Sequence, residues 1–202
     1  MTRKITILDR VLLLITVLLC AYHIVIGIDD LATVSIISYT IAFGVLLVAS
    51  LLILILGFEI LESPVVVIVS TLLPLSLSTG LITQFYPTLS SVYIFFAIIS
   101  LLAVSYTRLL TRGRWAITAL IFVHTVAGLI IFALPIYLSL QDLAGPDFAL
   151  VGLGGALIGV GGILFSFLRV GKQTLSQDVV LSALPALLLA TTVAFVAGFA
   201  NV

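Results

Sequence analysis

Charged residues are scarce in this chain: they make up 8% of its 202 residues, whereas 63% are hydrophobic. A soluble domain carries about 25% charged residues and has roughly half of its residues apolar. The scarcity therefore excludes an ordinary soluble domain and predicts an integral membrane protein whose main partner is the lipid bilayer. The few basic residues form no basic patch, so the sequence predicts no nucleic-acid partner.

Residues that hold metals or act as nucleophiles are also few, with one cysteine and two histidines. Cys20 has no second cysteine to pair with, and we interpret it as a small apolar residue inside a helix. The zinc-protease, nucleophile-elbow, dithiol and phosphate-loop motifs are absent. The sequence therefore indicates no metal site, assigns no cofactor, and favours a role other than catalysis.

Long apolar runs dominate what is present. A membrane-spanning helix needs roughly 20 mostly apolar residues, and short breaks with charges, proline or glycine separate seven such runs. We therefore predict one all-α membrane domain over residues 1–202, built as a bundle of seven transmembrane helices. The predicted helices cover about residues 7–28, 31–56, 65–85, 88–107, 115–138, 148–168 and 178–200.

The basic residues fall into three clusters, at positions 3–10, 108–114 and 169–172. Seven spans place all three clusters on one side of the membrane, and short basic loops stay cytoplasmic. We therefore predict a multi-pass protein with a cytoplasmic N-terminus and an outside C-terminus. The loops predicted to lie outside carry acidic residues instead, namely Asp29, Asp30, Asp142 and Asp147.

Two faint sequence similarities suggest an internal repeat. The string "IDDLA" recurs as "LQDLA" 112 residues later, and the prolines of "STLLPLSLSTG" and "LSALPALLLAT", Pro74 and Pro185, are 111 residues apart. A 3+1+3 plan follows, with helices 1–3 and 5–7 as parallel copies joined by helix 4, as in some small transporters. The alternative is chance, because leucine, alanine and serine are abundant in this sequence.

Helix 6 carries an unusual number of glycines. Four of them are spaced three, four and three residues apart and so share one face: Gly152, Gly155, Gly159 and Gly162. Small residues let membrane helices approach closely, and Gly155 with Gly159 forms a GxxxG pair. We predict a helix-packing face within the bundle. A homo-oligomer face and close approach to a substrate or cofactor are the alternatives.

The two histidines are candidate functional residues, since polar groups inside a bilayer are costly. His23 is expected in the outer part of helix 1 and His124 near the middle of helix 5. A shared heme would need both at one depth, and their expected depths differ by roughly 12 Å at a rise of about 1.5 Å per residue. A proton-handling role and a satisfied position within the bundle are both open for each.

Helix 3 is the most polar of the predicted spans. Pro74 lies among serine and threonine residues that include Ser78 and Thr79, and a proline-broken helix of this kind can line a transport pathway. We therefore predict a pathway between the two three-helix units, past these residues, with Tyr39 and His124 near the middle. A kinked, well-packed helix is the alternative interpretation.

Three functions remain open from the sequence. The first is a transporter or channel for a small uncharged or proton-coupled solute. The second is a non-catalytic subunit of a larger complex with partner membrane subunits, which the short loops favour. The third is a heme or lipid-modifying membrane enzyme that uses His23 and His124.

Overall fold

The computed structural model describes residues 3–28, 31–110, 114–169 and 177–200. Within them every regular element is helical, which confirms the all-α prediction. The seven α-helices are α1 (Ile7–Ile26), α2 (Thr33–Leu56), α3 (Pro64–Phe85), α4 (Ser90–Leu109), α5 (Arg114–Leu140), α6 (Ala149–Arg169) and α7 (Gln177–Phe199). Three short 3₁₀ helices connect them, at Phe58–Glu62, Pro87–Leu89 and Pro146–Phe148.

Six of these helices are long and apolar enough to cross a membrane by length and composition. The described apolar part of the α6 region, Pro146–Gly161, is shorter. The predicted boundaries agree with the observed helices to within a few residues. A multi-pass membrane protein is therefore supported, with six candidate spans in the described part of the chain.

Helix packing forms a closed ring of six helices with one helix outside it. Around the ring, α1 packs on α2, α2 on α3, α3 on α5, α5 on α6, α6 on α7, and α7 back on α1. The remaining helix, α4, packs against α3 and α5 from outside. Helices 1–3 and 5–7 thus have matching neighbours, and the two groups meet at two seams, α1–α7 and α3–α5.

Local signals explain where α1 begins and where α1 and α2 end. The Thr6 side chain accepts a hydrogen bond from the Asp9 backbone N–H, and the Asp9 carboxylate accepts one from Thr6, a capping box that starts α1. Gly27 and Gly57 follow α1 and α2 at φ 73° and 86°, a left-handed conformation that favours glycine. Both helices therefore end at a glycine.

The buried face of α1 is mostly polar. Its buried residues are spaced four, three, four and three apart and so form one stripe: Asp9, Leu13, Thr16, Cys20 and His23. Large apolar residues cover the opposite face, where Ile7 and Val25 are 83% and 84% exposed. A helix with its apolar face outward and its polar face inward fits a lipid environment.

Contacts along α1 fix how its neighbours run. Leu13 clusters with Ile53 of α2, and the His23 ring lies 4.0 Å from that of Phe43, so α1 and α2 are antiparallel. Leu13 also clusters with Leu181, and His23 lies 6.0 Å from Phe199, so α1 and α7 are parallel. We name the end of the bundle where α1 begins the N-terminal end, and the other the far end.

Side chains fill the interior of the ring. On α3 the interior face consists of Leu73, Leu77 and Leu81, spaced four residues apart. From α2 and α7, Phe43 and Phe195 meet across the ring with their centroids 6.4 Å apart. In the described part of the chain, the centre of the ring is a packed apolar core and not an open pore.

Candidate functional site

Polar side chains gather where α1, α2 and α7 meet. We name this set the polar junction. Its members come from three helices and are at most 7% exposed: Asp9, Thr16, Cys20 and His23 of α1, Ser50 of α2 and Thr192 of α7. The junction runs most of the length of α1 and borders one of the two seams between the three-helix groups.

The middle of the polar junction consists of hydroxyl groups and one thiol. The Thr16 and Thr192 hydroxyls donate to carbonyls of the preceding turn, at 2.9 and 2.8 Å, which leaves their oxygens able to accept. The Cys20 thiol interacts with the Thr192 hydroxyl across the seam. By the antiparallel register, Ser50 lies level with Thr16, and in the described part of the chain its completely buried hydroxyl has no hydrogen-bond partner.

At the far end the polar junction reaches His23, which is 7% exposed. Its Nε2 is buried and has no hydrogen-bond partner among the described residues, although its ring packs against Phe43 and Phe199. His23 lines a cavity of about 10 Å³ together with Gly27, Ile36 and other residues of α1 and α2. That volume holds about one water molecule.

At the N-terminal end an ion pair closes the polar junction. The Arg3 guanidinium lies 2.9 Å from the Asp9 carboxylate, whose side chain is 4% exposed. The same guanidinium donates to the Leu181 carbonyl of α7 at 3.0 Å and lies 5.3 Å from the centre of the Phe58 ring. We name Arg3, Asp9, Phe58 and Leu181 the N-terminal clasp; both terminal nitrogens of the Arg3 guanidinium have partners in it.

The two hydroxyl candidates of α3, Ser78 and Thr79, have partners outside the ring's interior. Ser78 donates to the Pro74 carbonyl at 2.6 Å and accepts from Tyr93 of α4 at 2.8 Å. Thr79 donates to the Leu75 carbonyl at 2.7 Å. Both hydroxyls therefore bond to the α3 backbone, and Ser78 also contacts α4, the helix outside the ring. Leucines form the face of α3 that points into the ring.

Tyr39 connects α2 to α3. Its hydroxyl donates to Oε1 of Gln84 at 2.6 Å, and its ring covers Gly80 so closely that any side chain there would overlap it. The ring also lies 4.6 Å from Phe199 of α7. Tyr39 is thus a buried bridge near the far end of the polar junction.

His124 is half-buried on α5, with its Nδ1 2.9 Å from the Leu120 carbonyl of its own helix. Among the described residues, no hydrogen bond or ring contact joins it to Tyr39 or to His23. Because α1 and α5 are not neighbours in the ring, the structure does not bring the two histidines together. A heme held between them has no support in this arrangement.

The glycine face of α6 divides into a packed and an open part. A Cβ on Gly152 would lie 2.6 Å from the Phe132 carbonyl oxygen, and one on Gly155 would lie 2.7 Å from Ile131, so both approach α5. Gly159 is exposed and would meet no described atom within 4 Å, which differs from the predicted contact. Gly162 lies outside the residues whose side-chain surroundings are described.

Sequence reasoning missed the polar junction, although its signal is readable. The four-three spacing of Asp9, Leu13, Thr16, Cys20 and His23 marks one face of α1. Partners on other helices have no such local signature. Ser50 and Thr192 resemble every other hydroxyl residue in the chain until the helices are packed.

The predicted outer aspartates and the possible metal ligands form no second candidate site in the described part of the chain. Asp29 and Asp30, predicted on the outer side, lie outside the described residues. Within the described ranges, no group of three or more histidine, cysteine or acidic side chains could hold a metal ion. The Thr83 and Ser90 hydroxyls, on either side of the α3–α4 connection, are also buried, with no partner in the ranges that the structure describes.

Comparison with known proteins assigns no relationship. Neither a scan against protein-family models nor searches of curated proteins and of solved structures found a match.

Proposed function

We propose that this protein is a multi-pass membrane transporter that moves a small uncharged solute along the polar junction. In this proposal all seven helices span the bilayer, with the N-terminus cytoplasmic and the C-terminus outside. The 3+1+3 repeat supplies two moving units, and α4 links them from outside the ring. The ring packing supports this division, because the main packing between the units is at their edge helices, α1 on α7 and α3 on α5.

The observation that carries the proposal is the stripe of polar groups through a bundle that is otherwise apolar. A buried polar group without a partner costs about 1–3 kcal/mol, and both Ser50 and His23 carry one. Intramembrane polar residues with no structural partner are functional candidates by default. Binding of a solute that hydrogen-bonds to these groups would offset their cost.

The chemistry of the polar junction favours an uncharged solute. Between Asp9 and His23 its polar groups are hydroxyls and a thiol, with no fixed charge to compensate an ion. A charged group in a low-dielectric interior needs a partner. His23 is the only titratable nitrogen of the junction, so coupling to protons would require it.

Leu13 and the aromatic rings around His23 separate the polar groups from both ends of the bundle. A solute therefore cannot pass while the helices stay as they are, and transport requires movement at a seam. The α1–α7 seam fits this role, because it joins the two units and contains Cys20 and Thr192. This arrangement implies a carrier that opens to one side at a time.

Flux through reconstituted protein tests the proposal. Proteoliposomes are assayed for glycerol, urea, ammonia and proton movement against protein-free vesicles. We expect the parent to move at least one of them, and Thr192→Val to slow it by about ten-fold by removing a hydroxyl from the path. Thr79→Val is the matched control, since Thr79 makes the same kind of bond within its own helix, α3, outside the polar junction, and it should leave the flux unchanged.

A second candidate function is a subunit of a larger membrane complex. Its support is the wide exposure of α4, where Val92, Phe95 and Leu102 are 69%, 66% and 62% exposed. Lipid can cover that face as well as a partner subunit can. A folded parent that moves none of the four solutes and purifies only with fixed partners would contradict transport and favour this function.

A further inference from the structure

Arg3 makes contacts with both three-helix units at the N-terminal end. Its ion pair with Asp9 holds it to α1, and its hydrogen bond to the Leu181 carbonyl holds it to α7. Its guanidinium also covers the Phe58 ring, which follows α2. One side chain therefore ties together all three helices that form the polar junction.

The acceptor on α7 is available because of a proline. In a helix the Leu181 carbonyl would accept from the N–H of the residue four positions later, and that residue is Pro185, which has no N–H. The freed carbonyl is the group that Arg3 binds. Pro185 thus provides a binding position for Arg3 and does more than bend α7.

We propose that the N-terminal clasp is the gate of the polar junction: the Arg3 side chain holds the α1–α7 seam closed at this end and must release Leu181 for the seam to open. The proposal rests on the proposed function only in assuming that solute passes along the polar junction. Whether the clasp holds the seam closed can be measured without any transported solute. Directly inside the clasp lies Leu13, one helical turn from Asp9 and completely buried.

Thiol accessibility tests the gate. Cys20 is the only cysteine, so Cys20→Ala with Leu13→Cys leaves one thiol directly behind the clasp. In proteoliposomes a water-soluble methanethiosulfonate should modify it slowly. Adding Arg3→Gln should raise the modification rate by about ten-fold or more, because local opening exposes buried groups in proportion to the open population.

Two further variants make the test specific. Arg10→Gln removes the same charge from an exposed position at the same end and should change the rate by less than about two-fold. Pro185→Ala returns an N–H that competes with Arg3 for the Leu181 carbonyl, and so weakens the link to α7 without altering a charge. Its rate should lie between those of the parent and of Arg3→Gln, with circular dichroism confirming that each variant is folded.

Equal rates for the parent and Arg3→Gln would overturn the gate, as would an equal increase from Arg10→Gln. An unchanged rate in Pro185→Ala would also overturn it, because the link to α7 would then hold nothing closed. A protein that shows the expected rates but no solute flux would contradict the proposed function and leave the gate standing.

Discussion

The two ends of the polar junction differ in how their polar groups are satisfied. At the N-terminal end the charges of Arg3 and Asp9 are paired, and the carbonyl that Pro185 frees has a donor. At the far end the His23 imidazole lies among aromatic rings with one nitrogen unpartnered and a cavity of about 10 Å³ beside it. One end is closed by pairing, and the other is held by packing.

The difference indicates which end is built for stability and which for binding. Paired polar groups are satisfied as they are, so a solute gains little by replacing those contacts. A buried nitrogen without a hydrogen bond costs free energy, and a molecule bound in the neighbouring cavity can remove that cost by hydrogen-bonding to the nitrogen. We therefore expect the solute to bind first at the far end, while the N-terminal clasp stays closed.

The largest effect on stability should come from breaking the pair at the N-terminal end. Asp9→Leu removes the partner of a largely buried cation together with the Asp9 half of the capping box, and should lower the free energy of unfolding by about 3 kcal/mol. Asp9→Asn keeps an acceptor for the Thr6 backbone N–H and should cost less. Thermal unfolding in detergent measures both, and equal stability of Asp9→Leu and the parent would contradict the role of the pair.

A smaller effect should come from disturbing close packing between helices. Gly155→Leu would overlap Ile131 of α5 and should cost about 1–3 kcal/mol by overpacking. Gly159→Leu is the matched control four residues later on the same helix, at an open position. If the two variants unfold at the same temperature, the close approach of α6 to α5 is not what stabilises this half of the bundle.

The smallest effect on stability should come from the unpartnered groups. His23→Leu and Ser50→Ala remove buried polar atoms that have no partner, and each should leave the free energy of unfolding within about 1 kcal/mol of the parent or raise it. Solute flux should nevertheless fall in both. A large loss of stability in either variant would show that the group has a stabilising partner. The contrast between paired groups at the N-terminal end and unpartnered groups elsewhere in the polar junction would then fail.

The helices themselves were predictable from the sequence, because each long apolar run is bounded by proline, glycine or charge. The first helix is an example, since the capping box and Gly27 limit it on both sides. Which face of a helix is buried was harder to predict. Lipid and protein core are equally apolar, so apolar residues do not distinguish the two faces of α6 or α3.

The candidate site was predictable only in part for the same reason. The hydroxyls of Ser78 and Thr79 predict a polar segment on α3, and each bonds a carbonyl of its own helix. The partners of His23 depend on how α1, α2 and α7 meet, which no local pattern encodes. Pro185 matches Pro74 in the sequence, but its effect on the Leu181 carbonyl depends on the position of Arg3, which the packing of the helices determines.

The most direct test of the central claim, that solute passes along the polar junction, uses the single native cysteine. Cys20 lies in the middle of the junction, so a thiol-reactive reagent attached to it should obstruct the path during transport. We predict that modification of the parent, verified by mass spectrometry, abolishes the flux of the transported solute, whereas Cys20→Ala treated identically keeps its flux. Undiminished flux through fully modified parent protein would contradict the claim.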